Sequence, residues 1–187
     1  MPSISPDGRS RRLKQDLLDM KALSEKCPAI KFRVLDDGDA PEEYEVSFYL
    51  KTIIGEIKGK PVYRDANLPT IVLIDLRKYP YGRIKAQCMT KPPPYHPNWY
   101  EFGLWDQITG NSRVSDTLAE LVIRMAKTIQ FVPAVTNSSS ASNVAAADWW
   151  KKHLKSRYFP CDNTVILDYY NDIHKPITIK RKDDVNA

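Results

Sequence analysis

Residues 79–106 read YPYGRIKAQCMTKPPPYHPNWYEFGLWD, a strand-like segment followed by a long aromatic loop. Every second residue from Ile84 to Cys88 is apolar, which predicts a half-buried strand over Arg83–Thr90 with the Cys88 thiol facing the core. Three consecutive prolines then exclude a helix or a central strand from residues 91–113. A loop of this length must pack on the core. The aromatic residues expected to anchor it are Trp99, Phe102 and Trp105.

The sequence before this segment predicts one helix and three more strands. Ser10 can cap a helix over residues 11–25, which ends at Cys27-Pro28. The apolar positions of this helix repeat at intervals of three and four: Leu13, Leu17, Met20 and Leu23. Further strands are predicted over Ile30–Val34, Tyr44–Leu50 and Thr70–Leu76. Because the connections are short and polar, the four strands are expected to form an antiparallel meander.

The sequence after the loop predicts two helices and a short β-rich tail. The first helix begins at Ser115 and Asp116 and ends at Pro133. The second begins near Ser142 or Asn143 and runs to about residue 156. The residues of the second helix expected in the core are Trp149 and Trp150. Two tail segments can form a hairpin or join a sheet edge: Thr164–Tyr170 and Pro176–Lys180.

The composition indicates one folded domain with a short extension. The chain has 187 residues, 42% hydrophobic and 27% charged, as is typical of globular proteins. We divide it into a flexible N-terminus at residues 1–10, a domain at 11–156 and an extension at 157–187. No apolar run is long enough to span a membrane, and residues 1–20 lack the apolar region of a secretory signal. The three widely spaced cysteines indicate reduced thiols and a cytoplasmic location.

The spacing of the motifs excludes several common kinds of site. Gly55–Lys60 has one residue too few between its glycines for a phosphate-binding loop, and Pro61 replaces the magnesium-binding hydroxyl, so we predict a turn after a strand. The three histidines are far apart, and no Cys-x-x-Cys pair exists. We therefore expect no metal and no cofactor. The net charge of +5 lies mainly in segments that solvated faces and tails explain: Arg9–Lys14, Lys151–Arg157 and Lys175–Lys182.

The order of elements and several local motifs resemble the ubiquitin-conjugating enzyme (UBC) family. Tyr79-Pro80, the strand after it and Tyr95-His96-Pro97-Asn98 are similar to the family's Tyr-Pro pair, fourth strand and His-Pro-Asn motif, in the same order. Gly103 matches the glycine after that motif. Asn143 with Ala145-Ala146 resembles the start of a later helix, and the Trp-Trp pair that follows resembles prokaryotic relatives. The resemblance covers residues 11–156. It implies an α+β UBC-like fold with an N-terminal helix, a four-stranded antiparallel meander, the His-Pro-Asn loop and two C-terminal helices.

The resemblance also implies a catalytic cysteine, which this chain lacks. In active members of the family a cysteine lies three residues after the motif glycine and carries ubiquitin as a thioester. Counting from Gly103 leads to Asp106, and no cysteine occurs between Met89 and Pro160. A carboxylate cannot replace the thiolate, and its charge would repel an acyl oxyanion.

The other motif residues are then interpreted as structural. In active relatives the motif asparagine supports the oxyanion of isopeptide formation, whereas the histidine is largely structural. In this chain Asn98 is expected to hydrogen bond with loop backbone groups, and His96 is expected to be a satisfied loop histidine.

These observations favour a catalytically inactive UBC-like protein that acts as a protein-binding or scaffolding subunit. The resemblance implies a ubiquitin-like protein or another conjugation component as partner. The residues expected to contact it are Trp99, Phe102 and Trp105. One alternative is a conjugating enzyme with a displaced nucleophile, Cys161. A second is a weak nucleic-acid-binding module that uses the basic segments, although no recognised motif supports it. We expect no membrane partner.

Overall fold

The first helix, α1, spans Pro6–Lys26 in the structure, a computed structural model that describes residues 6–106 and 116–167. Its predicted apolar stripe faces the core, with three of the four residues buried and Leu17 partly buried. The predicted cap at Ser10 is wrong, because Ser10 lies inside the helix. Proline suits the first helical position, since its φ is already helical and it has no N–H that needs a partner. Residues 6–10, which we assigned to a flexible N-terminus, are therefore helical.

Six strands follow in the described part of the chain, and four of them form the predicted antiparallel sheet. They are β1 (Ile30–Val34), β2 (Glu43–Phe48), β3 (Thr52–Ile57), β4 (Lys60–Arg64), β5 (Thr70–Asp75) and β6 (Lys85–Cys88). The four-stranded sheet has the order β1-β2-β5-β6, with all neighbours antiparallel. Val46 in β2 lies opposite Phe32 in β1 and Val72 in β5, so one face of the sheet is an apolar layer.

Strands β3 and β4 form a separate hairpin that the sequence did not predict. The turn predicted within Gly55–Lys60 is confirmed, because Lys58 and Gly59 have the positive φ values, 52° and 79°, of a two-residue hairpin turn. We missed the strands because Pro61 argues against a central strand, and β4 pairs with β3 alone. The hairpin buries Ile53 against aromatic residues distant in sequence, a contact that no local pattern reveals.

Helix α2 spans Leu118–Ile129 and packs in the main core, in contact with α1. Its cap is Thr117, whose hydroxyl accepts the N–H of Glu120 while the Glu120 carboxylate accepts the N–H of Thr117. This capping box explains the start of the helix, and the start predicted at Ser115 and Asp116 is wrong. Asp116 precedes the cap, and Ser115 lies outside the described residues.

Helix α3 spans Val144–His153 and follows a short 3-10 turn at Pro133–Val135. Asn143 caps the helix, as its predicted position allows, because its Oδ1 accepts the N–H of Ala146 at 2.9 Å. The helix ends before residue 156, the end that we predicted. The prediction that two of its aromatic residues pack in the core is confirmed for Trp149 and Trp150.

The segment that follows α3 is part of the core. The ring centroids of Phe159 and Trp150 are 4.0 Å apart, and those of Phe159 and Phe131 are 5.8 Å apart. Ile166 is buried in the main core. The beginning of the predicted extension therefore packs against the domain.

The tail predictions fall mostly beyond the described residues. The strand predicted at Thr164–Tyr170 is absent from its described part, and Pro176–Lys180 lies outside the described residues. Among the described helices, none combines the length and the apolar composition that crossing a lipid bilayer requires.

Candidate functional site

The loop after β6 returns along the edge of the sheet. The N–H of Cys88 donates to the carbonyl of Gly103 at 2.8 Å, and the N–H of Trp105 donates to the carbonyl of Ala86 at 2.9 Å. These bonds fix the end of the loop against β6. Asp106, the next residue, is therefore held at a defined place.

Gly103 is required by the close approach of the loop to β6. Its φ is +93°, and a Cβ added there would lie 3.1 Å from the carbonyl oxygen of Cys88 and 3.1 Å from Nε2 of Gln87. Residues with a side chain rarely adopt this φ. The glycine that the sequence singled out thus has a structural role in placing Asp106.

Two of the three predicted aromatic anchors hold this loop on the core. Trp99 is fully buried and donates its Nε1–H to Oγ1 of Thr128 in α2 at 3.2 Å. Trp105 is also buried. Phe102 is not an anchor, because it is 60% exposed and stacks on Tyr100 with ring centroids 5.1 Å apart. Of the three residues expected to bind a partner, Phe102 alone reaches the surface.

His96 is a buried histidine with both ring nitrogens in hydrogen bonds. Its Nδ1 accepts the N–H of Asn98 at 3.1 Å, so Nε2 carries the proton and donates to Oγ1 of Thr136 at 3.1 Å. The Thr136 hydroxyl in turn donates to the carbonyl of Val132 at 3.0 Å. Burial lowers the pKa of His96 to about 3, which keeps the imidazole neutral. This arrangement agrees with the predicted role of a satisfied loop histidine.

Asn98 joins the His-Pro-Asn loop to the connector that precedes α3. Its Nδ2 donates to the carbonyl of Asn137 at 3.0 Å, and its Oδ1 accepts the N–H of Asn137 at 3.0 Å. The side chain is fully buried. Asn98 thus hydrogen bonds with loop backbone groups, as we expected.

Asp106 lies between the His-Pro-Asn loop and the start of α3. Its N–H donates to the carbonyl of Asn98 at 2.9 Å, and its Oδ2 accepts the hydroxyl of Ser142 at 2.6 Å. The N–H of Ser142 donates to the carbonyl of Pro97 at 2.8 Å, which ties the same two segments together. The place to which the motif spacing leads therefore holds a hydrogen-bonded carboxylate.

Two of the three cysteines lie in the main core. Cys27 and Cys88 are 2% and 1% exposed, and burial raises the pKa of both thiols. A buried, protonated thiol is a poor nucleophile. The prediction that Cys88 faces inward is confirmed.

Cys161 lies in the segment that packs against α3. Its thiol donates to the carbonyl of Lys51 at 3.3 Å, and burial together with the nearby charge of Asp162 raises its pKa to about 12. The thiolate is the reactive form, so this thiol is unreactive at neutral pH. His153, the histidine that precedes it in sequence, has Nδ1 2.8 Å from the carbonyl of Trp149.

The basic segment near the N-terminus is used within the fold. Nε of Arg9 donates to the carbonyl of Tyr79 at 2.9 Å, and its guanidinium pairs with Glu42 at 2.5 Å. Arg12 donates to the Tyr79 hydroxyl at 2.6 Å and to the carbonyl of Asp116 at 2.9 Å. These contacts attach α1 to the sheet and to α2, which weakens the case for nucleic-acid binding through this segment.

Three residues of the site were missed by sequence reasoning: Thr136, Asn137 and Ser142. All belong to the Ser/Asn-rich connector before α3. Side chains of this type commonly bond with nearby backbone, and that composition is the signal that could have drawn attention to them. Within residues 6–106 and 116–167, no three His, Cys, Asp or Glu side chains are close enough together to hold a metal ion.

No protein-family model matches this sequence, and no curated protein matches it. Solved structures with a similar fold include one described as a novel ubiquitin-conjugating enzyme. It is 17% identical to this chain, the match covers 80% of this chain and 93% of the other, and the TM-score is 0.51.

Two further structures are a ubiquitin conjugating enzyme E2 from Plasmodium vivax and the E2 domain of a ubiquitin conjugating enzyme from Toxoplasma gondii. The first is 16% identical over 63% of this chain and 98% of its own, with a TM-score of 0.44. The second is 13% identical over 78% of this chain and 88% of its own, with a TM-score of 0.46. From the first similarity and the order of its own helices and strands, the chain has the α+β UBC-like fold of ubiquitin-conjugating enzymes.

Proposed function

We propose that this protein is a catalytically inactive UBC-like protein that binds other proteins as a scaffolding subunit in a ubiquitin-like conjugation pathway. The observation that carries the proposal is the position of Asp106. Its carboxylate, bonded to Ser142, lies where the motif spacing of the UBC family places the catalytic cysteine. A carboxylate cannot form the thioester through which that family carries ubiquitin.

The placement of the three cysteines supports the same proposal. Cys27 and Cys88 are enclosed in the main core. Cys161 is held protonated at neutral pH by its surroundings, which counts against the alternative of a displaced nucleophile. None of the three thiols is therefore suited to accept an activated acyl group.

The two other motif residues are committed to the fold. The amide of Asn98 bonds with both backbone groups of Asn137, and the neutral ring of His96 bonds with Thr136. A sequence that keeps these bonds without a nucleophile keeps the shape of the loop and loses the transfer chemistry. Such a combination favours a binding role, because recognition by a partner requires a preserved surface but no nucleophile.

The stacked aromatic pair on the loop, in which Phe102 is exposed and Tyr100 is half-buried, is the contact surface that we assign to the partner. Phe102 and Tyr100 stack on each other, and aromatic side chains contribute strongly to protein interfaces. The partner would be a ubiquitin-like protein or another component of a conjugation pathway.

A charging assay tests the loss of transfer chemistry. The full-length protein would be incubated with ATP, a ubiquitin-like protein and its activating enzyme, beside an active conjugating enzyme as positive control. We expect no thiol-sensitive adduct on this protein. A thioester on the wild-type chain would overturn the proposal, and its loss in Cys161→Ser would establish the displaced nucleophile.

A binding assay tests the scaffolding role. Immobilised full-length protein should retain a ubiquitin-like protein or another conjugation component without a covalent bond. Phe102→Ala should weaken this binding, whereas Val165→Ala, at a residue that is 86% exposed in another segment, should leave it unchanged. Equal retention by wild type and Phe102→Ala would remove the aromatic pair from the contact surface.

A further inference from the structure

An open cleft lies where β5 leads into the loop to β6, and it is rich in positive charge. Its volume is about 310 Å³. We name it the basic cleft, and its lining residues are Asp75, Arg77, Lys78, Arg83 and Lys85. With four cations and one carboxylate, the lining has a net charge of +3.

The single carboxylate that lines the basic cleft, Asp75, already accepts hydrogen bonds from Arg77. Asp75 Oδ1 accepts the backbone N–H of Arg77 at 2.9 Å and its Nε–H at 3.0 Å, while Oδ2 accepts a second guanidinium nitrogen at 2.5 Å. These bonds lower the pKa of Asp75 to about 2, and Lys85, opposite on β6, adds to the effect. Asp75 and Arg77 thus largely neutralise each other.

The other three cations of the basic cleft are available to bind a ligand. Lys78, Arg83 and Lys85 are exposed, and in the described part of the chain no carboxylate lies within ion-pair distance of them. Three cations grouped around one cleft repel one another and attract an anion.

An apolar cleft adjoins the basic cleft on the outer face of the sheet. Its volume is about 290 Å³, and it shares Asp75, Arg77 and Lys85 with the basic cleft. Leu35 and Leu73 also line it, and Leu35 is 41% exposed. A ligand that spans both clefts would therefore carry negative charge beside an apolar group.

We propose that the two clefts bind a short acidic peptide segment of a protein partner, with its carboxylates in the basic cleft and an apolar side chain on Leu35 and Leu73. The inference rests on the proposed function as a protein-binding subunit and adds the chemistry of the partner. Glu43 lines the adjoining cleft and would repel any negative group placed there, so a peptide whose carboxylates are confined to the basic cleft fits better than a phosphate backbone that continues through both clefts. Among the described residues that line the two clefts, none is an aromatic side chain on which bases could stack.

Fluorescence anisotropy of a labelled peptide tests the proposal on the full-length protein. The probe is a ten-residue peptide with four glutamates and two leucines, at low salt. The double variant Lys78→Glu, Arg83→Glu should weaken binding about tenfold or more, because two attractions become repulsions. The matched variant Lys151→Glu, Lys152→Glu, which reverses two exposed charges on α3, should change it less than twofold.

A gain of binding separates this effect from damage to the fold. Asp75→Asn removes the carboxylate of the basic cleft and should strengthen peptide binding about threefold, since the net charge of the lining increases. Replacing the two leucines of the peptide by serine should weaken binding to the wild type. Equal losses in the two double variants, or no loss in Lys78→Glu, Arg83→Glu, would overturn the proposal.

Two further outcomes complete the test. Tighter binding of a single-stranded oligonucleotide of equal charge, lost in Lys78→Glu, Arg83→Glu, would replace the peptide by a nucleic acid and overturn the inference. The charging assay is independent of this site, so a failure to bind the peptide leaves the proposal about Asp106 unchanged.

Discussion

The carboxylate of Asp16 in α1 accepts the backbone N–H of Leu118, the first residue of α2, at an Oδ1–N distance of 3.0 Å. The Asp16 side chain is fully buried, and its other oxygen pairs with Nε of Arg12 at 3.3 Å. Burial raises the pKa of Asp16, while the bonds to Leu118 and Arg12 act in the opposite direction. One helix thus satisfies a terminal N–H group of another, which couples the docking of α1 to the start of α2.

Asp16→Ala should lower the free energy of unfolding by about 1–3 kcal/mol, because the buried N–H of Leu118 loses its acceptor. Urea denaturation followed by circular dichroism measures the change. Asp37→Ala, at an exposed loop carboxylate, is the matched control and should change it by less than about 0.5 kcal/mol. Equal effects of the two substitutions would show that the hydrogen bond between Leu118 and Asp16 contributes nothing to stability.

Gly103→Ala should destabilise the protein by about 1–3 kcal/mol, since the added Cβ meets backbone and side-chain atoms at 3.1 Å and the φ is positive. Gly55→Ala is a sharp control, because a Cβ there would find no atom within 4 Å. Thermal unfolding of both variants provides the comparison. The explanation fails if Gly55→Ala is as harmful as Gly103→Ala.

Asn98→Ala should loosen the connector before α3, because the N–H and the carbonyl of Asn137 both lose their partners. We expect a loss of about 1–3 kcal/mol in stability and faster hydrogen exchange at the Asn137 amide. Ser140→Ala, at an exposed residue of the same connector, should leave that exchange rate unchanged. Unchanged exchange in Asn98→Ala would contradict the assigned role.

The buried neutral His96 predicts a loss of stability in mild acid. Its folded pKa of about 3 lies below the unfolded value near 6.5, so below pH 6.5 the unfolded chain binds a proton that the folded chain does not. The free energy of unfolding should therefore fall by about 1.4 kcal/mol per pH unit once the pH is well below 6.5. Urea titrations at pH 7, 6 and 5 measure the slope. The free energy of unfolding of His96→Gln should depend less on pH over this range. Identical slopes for the variant and the wild type would refute the role assigned to His96.

Asp106→Cys should introduce the one thiol that reacts quickly. The residue is only partly buried, whereas Cys27 and Cys88 are enclosed and Cys161 is protonated at neutral pH. Mass spectrometry after brief iodoacetamide treatment at pH 7.5 should find one added group in the variant and none in the wild type. Labelling of wild-type Cys161 as fast as free cysteine would instead revive the displaced nucleophile.

The sequence predicts elements well where a repeating pattern coincides with burial. The stripe on α1 and the alternation in β2 and β6 were readable because each period places its apolar residues on one face. The hairpin of β3 and β4 could not be predicted from such a pattern, since Ile53 is buried by residues of α3 that lie far along the chain. Local patterns carry no information about such partners.

In the candidate site, too, the residues could be identified from the sequence but their distant partners could not. Counting residues was enough to draw attention to Asp106, and the residue types of His96 and Asn98 were enough to suggest structural roles. Their partners were not predictable, because Ser142 lies 36 residues from Asp106 and Asn137 lies 39 residues from Asn98. Those contacts exist only once the connector has folded against the loop.

The packing of Phe159 and Ile166 sets where the protein can be shortened. A version that stops at residue 156 would uncover Trp150 and leave a void in the main core. Each large apolar side chain removed from a core costs about 2–5 kcal/mol. A C-terminal deletion intended for interaction studies should therefore keep every residue through Leu167. Failure of a shorter version to bind would otherwise report misfolding rather than the loss of a partner site.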